Sequence, residues 1–379
     1  MLLCGLLTAC GNVRKEGGSE YRVCMITDSG DITDQSFNQT TYEACRDYCR
    51  EHNMDFTYKK PDGDTDYARI AMVDVAVAEG YNILVMPGFS FARAIVETTN
   101  KYPDIDFIAL DLGGADIAAA AVGSAYYADP DAYEVTDYYN TSNTYCTTYR
   151  EEIAGFLAGY AAVRMGYRKL GFLGGMMVPG PMRFGYGYVQ GIDQAAQELG
   201  ITDEVSVEYA YGGQFYGSTE ITAAMDTWYN NGVDVAFACG GAIYTSVAEA
   251  AAKKNGKVIT ADSDQSAILD TYLPGMAVTA ALKNLRASIN TALDAITIDG
   301  TWPELTGQIA SLGLVSTTDM SLNYVGLPED TTQWNEGFTR EDYYALVRRI
   351  YDGEVEIDRS IDSFPETEVR VNVRPGTIR

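Results

Sequence analysis

Arg22-Val23-Cys24-Met25-Ile26-Thr27-Asp28-Ser29-Gly30-Asp31-Ile32-Thr33-Asp34-Gln35-Ser36-Phe37-Asn38-Gln39 is the stretch from which the fold is read. Residues 22–26 form a short apolar run with β-branched members, which predicts a strand. Thr27-Asp28-Ser29-Gly30 closes it with turn formers. A helix is expected from about Ser36, with Asp34 as its N-cap and Phe37, Ala44, Cys45 and Tyr48 on one face. A strand running through a loop into a helix is the first half of a βαβ unit.

The same rhythm continues outward. Strands are expected at 56–59, 83–86 and 107–110, with helices at 67–78 and 91–101 between them. It restarts with helix 151–165, strand 169–173, helix 182–199, strand 205–211, helix 219–230, strand 233–238, helix 245–255 and strand 258–261. Such alternation implies parallel sheets with right-handed crossovers, and two runs of it imply two doubly wound α/β lobes. Near the end, Thr339-Arg340-Glu341-Asp342 resembles a capping box, followed by Tyr343, Leu346, Val347 and Ile350 on one face and Gly353 as the stop.

Composition agrees and excludes several functions. At 379 residues, 46% hydrophobic and 21% charged, the chain is a packed globular protein too long for one ordinary core. Its net charge of −26 repels phosphate backbones, so no nucleic-acid partner is expected. The single histidine, His52, removes most triad and His-ligated metal chemistry. No metal site, cofactor or catalytic residue is expected.

Asp28, Asp111 and Asp262 each stand just past an expected strand end, as do Gly240 and Gly241. Ligands of open α/β sheets bind in the crevice outside those ends. Singly, each aspartate reads equally well as a helix cap or turn former. Together they point to a site whose carboxylates accept hydrogen bonds from sugar hydroxyls or base N–H groups. No Gly-x-Gly-x-x-Gly follows the first strand, and no Gly-Lys-Ser/Thr occurs. Gly171–Gly175 and Gly185-Tyr186-Gly187 therefore read as turns and close strand–helix packing.

The stretch from Thr27 to Gln39 closely resembles the signature of the basic membrane protein family, the purine nucleoside receptor lipoproteins. The resemblance recurs at Glu151-Glu152-Ile153-Ala154-Gly155-Phe156-Leu157-Ala158-Gly159-Tyr160, at Gly171–Gly175 with Arg183-Phe184-Gly185-Tyr186-Gly187-Tyr188, at Tyr211-Gly212-Gly213-Gln214-Phe215, and at Asp262-Ser263-Asp264-Gln265. It implies the type I periplasmic-binding-protein fold, two Rossmann-like lobes joined by hinge crossovers. Residues 21–125 with about 265–300 are expected in the N-terminal lobe, and about 126–264 with 301–379 in the C-terminal lobe.

The resemblance also implies roles. Phe37 and Phe215 would sandwich a purine, one from each lobe. Asp28 and Asn38 would bond the base edge or nearby hydroxyls, while Asp111, Asp262 and Lys283 would line the ribose end. Gly241 would offer backbone contacts, although Gly240-Gly241-Ala242-Ile243-Tyr244 departs from the family's loop. Phe37 also fits a plain core position. The ligand implied is adenosine, guanosine or inosine, and the partners are ABC permease subunits. A binding protein feeding a membrane sensor and a nucleoside-processing enzyme are the alternatives.

Leu7-Thr8-Ala9-Cys10 resembles a lipobox, with a polar tether after it, which implies a lipoprotein signal and tether over 1–20, acylation of Cys10 and a membrane contact through the lipid alone. A buried apolar terminus is the alternative. Cys24, Cys45, Cys49, Cys146 and Cys239 read as small buried hydrophobes, with Cys45 and Cys49 spaced to approach one another. A Tyr- and Asp-rich insertion over 126–145 reads either as a surface loop or as part of the cleft mouth.

Overall fold

The computed structural model describes residues 20–28 and 30–378. The lipobox with Cys10 lies outside the described residues. The strands, in chain order, are β1 (Arg22–Ile26), β2 (Asp55–Lys59), β3 (Ile83–Pro87), β4 (Asp106–Leu110), β5 (Thr144–Tyr149), β6 (Lys169–Gly174), β7 (Ser206–Tyr211), β8 (Val235–Cys239), β9 (Lys257–Asp262), β10 (Ala277–Lys283), β11 (Ile309–Leu312), β12 (Val325–Gly326) and β13 (Arg370–Thr377).

They form two sheets, β11-β5-β4-β3-β1-β2 and β12-β10-β9-β8-β6-β7-β13. Every pairing is parallel except the short β10–β12 contact. Parallel strands covered by helices on both faces are apolar along their whole length, as in β3 and β8, where every residue is buried. Both sheets share the order second-first-third-fourth-fifth, so each has a switch point between its first and third strands.

The chain passes between lobes three times, at Arg150, at Asn284 and through 313–324. The lobe boundaries therefore differ from those read in the sequence. Residues 126–149 end in β5, which pairs with β4 in the first sheet, and β11 extends that sheet beyond β5. Residues 265–283 belong to the second lobe, because β10 pairs with β9. Alternation reveals where elements lie, but hydrogen-bonded neighbours decide which sheet a strand joins. β5 (Thr-Tyr-Cys-Thr-Thr-Tyr) and β10 carry few large aliphatic residues, which hid both strands in the sequence.

The second lobe is built on two helices in near backbone contact, Glu151–Arg164 and Pro179–Leu199. A methyl group at Gly155 or Gly159 would collide with the carbonyl of Phe184 or Tyr188, and one at Gly187 or Gly191 with that of Glu152 or Phe156. Glycine on both faces lets the helices touch, which brings Arg183 of one beside Glu151 of the other.

The first helix spans Phe37–Glu51 with Ser36, not Asp34, at the N-cap. Asp34 still serves its orphan donors, accepting from the backbone N–H of Ser36 at 2.8 Å, Asn38 at 3.0 Å and Gln39 at 3.1 Å. The capping box at Thr339 forms, and Gly353 follows the helix Arg340–Tyr351 with φ 75°. All five cysteines from Cys24 to Cys239 are buried free thiols, Cys45 and Cys49 included. Within the insertion, Tyr126, Tyr127 and Tyr133 pack on one another, and no residue of 117–147 lines the cleft described below. No helix among the described residues is long and apolar enough to cross a membrane.

Candidate functional site

A cleft of about 930 Å³ opens between the lobes at the carboxyl ends of both sheets. Its walls include the switch-point loops, Asp28 and Gly88 on the first lobe and Gly240 on the second. All eight residues singled out in the sequence line it: Asp28, Phe37, Asn38, Asp111, Phe215, Gly241, Asp262 and Lys283.

Asp28 leaves β1 directly. Its Oδ1 accepts from Gly30 N–H at 2.6 Å and from Asn38 Nδ2 at 3.1 Å. Burial raises its carboxyl above the usual range, against the pull of those two donors. Asn38 also donates to Asp34 at 3.2 Å, and its buried Oδ1 has no hydrogen-bond partner among the described residues. A buried acceptor without a donor is costly unless a ligand supplies one.

Phe37 opens the first helix, half-buried, packed on the core and 5.5 Å from Lys283 Nζ. The core reading and the cleft reading thus both describe parts of one ring. Phe215 comes from the other lobe after β7, and its ring rests on Gly175 and Gly240, where an added methyl group would strike it. Gly241, at φ 53°, has no room for a side chain beside the Phe215 carbonyl, which accepts from Ala242 N–H at 2.8 Å. The glycine loop therefore forms the shelf that seats this ring.

Asp111 follows β4 and Asp262 ends β9, at φ 56° and 68°, a left-handed conformation that costs a non-glycine residue strain and that aspartate tolerates better than most. Both turn toward Lys283, the last residue of β10. Its ammonium stands 2.5 Å from Asp111, 3.2 Å from Glu151 and 3.5 Å from Asp262. Glu151 in turn pairs with Arg183 at 2.5 Å. Burial opposes the charge on Lys283, yet the fields of Asp111, Glu151 and Asp262 outweigh it and hold the amine protonated. Burial pushes Asp111 up to about 6, with Lys283 opposing, and it raises Asp262 as well. Asp111 Oδ1 is buried without a hydrogen-bond partner among the described residues.

Seven aspartates and three cations, Lys60, Arg183 and Lys283, line the cleft. That surplus disfavours phosphate-bearing ligands and suits a neutral, hydroxyl-rich one with a flat apolar part. Among the described residues no cluster of His, Cys, Asp and Glu is arranged to hold a metal ion.

Residues 21–318 match the Bmp family, described as ABC transporter substrate-binding protein PnrA-like. The chain belongs to this family. A Lactococcus lactis protein named ABC transporter nucleoside-binding protein BmpA is 25% identical over 260 residues, 65% of this chain and 65% of that protein, so the match spans slightly less than two thirds of the relative. A Pyrococcus abyssi protein named as an uncharacterized lipoprotein is 24% identical over 327 residues, 83% of this chain and 72% of its own. The crystal structure of an ABC transporter solute-binding protein from Aeropyrum pernix K1 superposes with a TM-score of 0.62 at 21% identity, covering 89% of this chain and 87% of that one. That likeness concerns the fold, which is of the type I periplasmic-binding kind. The Bmp family is one of ABC transporter substrate-binding proteins, a family role that implies a small-molecule ligand and permease partners.

At this Bmp-family cleft, sequence reasoning missed Arg183, which lines it, and the buried Glu151 and Ser36, which contact the lining residues Lys283 and Asp262. Ser36 Oγ reaches Asp262 Oδ2 at 3.3 Å across the lobes, and Gln35 O accepts from Ser263 Oγ at 3.1 Å and Gln265 Nε2 at 2.7 Å. A signal for Glu151 was present: two acidic residues head a helix that is otherwise apolar all round. Nothing in the spacing of Arg183 pointed to the cleft.

Proposed function

We propose that this protein binds a purine nucleoside between its lobes and presents it to ABC permease subunits, held at the membrane through a lipid on Cys10. The observation carrying this reading is the pairing of Phe37 and Phe215 on opposite walls of one cleft whose inner end gathers Asp111, Asp262 and Lys283. Two rings from different lobes provide stacking faces for a flat base, at about 1–3 kcal/mol per face. Carboxylates around a protonated amine accept from vicinal hydroxyls while their charge stays compensated. The name of the Lactococcus relative supports a nucleoside ligand, and that of the Pyrococcus relative supports lipid anchoring. Among the described residues no histidine lines the cleft, His52 stacking on Tyr48 outside its lining, which favours binding without turnover.

A thermal-shift panel of nucleosides, free bases, sugars and nucleotides tests the reading. At 100 times Kd, a ligand adds about 2.7 kcal/mol of stability. Stabilisation by adenosine, guanosine or inosine, with none by the nucleotides, is the expected result. Stabilisation by free sugars alone would overturn the purine assignment.

A further inference from the structure

The five charged side chains at the inner end of the cleft are shared unequally between the lobes. Lys283 ends β10, Asp262 ends β9, and Glu151 and Arg183 lie on the two helices packed in glycine contact; all four belong to the second lobe. Two cations and two carboxylates make this quartet formally neutral. Asp111, at the end of β4, is the fifth member and the one that the first lobe brings.

Glu151 lies one residue beyond the first crossover, and Lys283 one residue before the second. Glu151 is fully buried. Its Oε2 accepts from Arg183 Nε at 2.5 Å, while Oε1 stands 3.2 Å from Lys283 Nζ and accepts no hydrogen bond from another described group. A buried ammonium without a counter-ion is strongly disfavoured. An opening of the lobes would withdraw Asp111 with the first lobe and leave Glu151 and Asp262 beside the amine.

We propose that Glu151, clamped by Arg183, is a positioning residue: the resident counter-ion that holds the Lys283 ammonium at the cleft whether the lobes are open or closed. Asp111 then acts as an interlobe latch whose contact with Lys283 forms on closure. This rests on reading the cleft as a nucleoside site closed by lobe motion, and it adds residues to which that reading gives no role.

The consequence is electrostatic and signed. Asp111, pushed up to about 6 by burial, faces Lys283 from β10, Asp262 from β9, Glu151 and Arg183 from the paired helices, Tyr149 from β5 and Cys239 from β8. Removing the Glu151 charge takes away one repulsion and lowers the Asp111 midpoint. Removing the Arg183 charge does the opposite.

The test uses the full chain and calorimetry with inosine from pH 5 to 8 in buffers of different ionisation enthalpy. Glu151→Gln is expected to weaken inosine about tenfold or more at pH 7.5, and to move the midpoint of linked proton uptake down by about half a unit or more. Arg183→Met moves that midpoint up. The double variant, which removes one charge of each sign, returns it close to the parent value. A packing role for either side chain lowers affinity without opposite shifts in the midpoint. Single variants that keep the parent midpoint, or shift it in the same direction, overturn the proposal. Should Glu151→Gln not fold, Arg183→Met alone decides, and an unchanged midpoint overturns it. The Lys283 ammonium titration, followed by NMR in ligand-free protein and assigned with Lys283→Arg, tests the resident pairing without inosine: Glu151→Gln is expected to lower its midpoint, and an unchanged midpoint overturns the proposal. The proposal therefore stands or falls separately from the nucleoside assignment.

Discussion

Lys283 Nζ lies 2.5 Å from Asp111 Oδ2, although Lys283 ends a strand of the second sheet and Asp111 leaves a strand of the first. The contact closes the inner end of the cleft and joins the lobes beside two of the three crossovers. A ligand whose hydroxyls bond these carboxylates adds to the same bridge, so occupancy and closure are coupled.

Asp262 supplies the first prediction. Its carboxylate faces Lys283 at 3.5 Å and Ser36 Oγ at 3.3 Å, at the end assigned to ribose. Asp262→Ala is expected to weaken a nucleoside by roughly 2–5 kcal/mol and the corresponding free base far less. Calorimetry with adenosine and adenine distinguishes the two, and equal losses show the assignment to be wrong.

The aromatic walls supply the second. Phe37→Ala and Phe215→Ala are each expected to cost about 1–3 kcal/mol of purine nucleoside affinity, with Phe→Tyr costing much less because the π-face survives. Phe37 also packs on the core, so its alanine variant should lower the ligand-free melting temperature. Phe215 rests on Gly175 and Gly240, and its variant should lower that temperature less. Parent-like binding of adenosine and guanosine by both alanine variants removes the main support for a purine.

The third concerns pH and stability. Burial pushes Asp106 and Asp111 up to about 6, and it raises Asp28, Asp34, Asp116 and Asp262 in the same direction. In an unfolded chain an aspartate titrates near ~3.9, so the folded state holds these protons more tightly. The contribution of Asp106 and Asp111 is fully present below that unfolded value and is lost as pH rises through about 6, and the other four act in the same direction. Surface carboxylates with lowered values, such as Asp31 and Asp342, act only at lower pH. Scanning calorimetry should therefore give a higher melting temperature near pH 5 than at pH 7.5, with Asp106→Asn flattening the difference. A higher value at pH 7.5 contradicts the account.

Helix packing supplies the fourth. A methyl group at Gly187 meets the Glu152 backbone, which cannot yield as a side chain could. Gly187→Ala should destabilise the fold by about 1–3 kcal/mol. It should also weaken nucleoside binding, because the same helix contact sets Arg183 against Glu151. Urea denaturation reads the first effect and calorimetry the second; a neutral substitution would show that the helices can separate freely.

Anchoring supplies the fifth. With a functional upstream signal present, Cys10→Ser should move the protein from the membrane fraction to the soluble one. Unchanged fractionation rules out acylation at Cys10.

Local chemistry in the sequence determined the elements and much of the cleft wall. The helix 219–230 lies where its periodicity placed it, because capping by Ser218 and one buried face are local properties. Asp28, Asp111 and Asp262 were legible because the carboxyl ends of parallel strands face a crevice in any sheet of this order. Tertiary structure alone decided which lobe received β5 and β10, since a strand with few large aliphatic residues fits either sheet until its neighbour is known. It alone brought Glu151 and Arg183 together through two glycine faces, and set three carboxylates around Lys283. Periodicity is a property of consecutive residues. A charge network gathered from three strands and two helices depends on how the lobes pack, and no sequence window spans it.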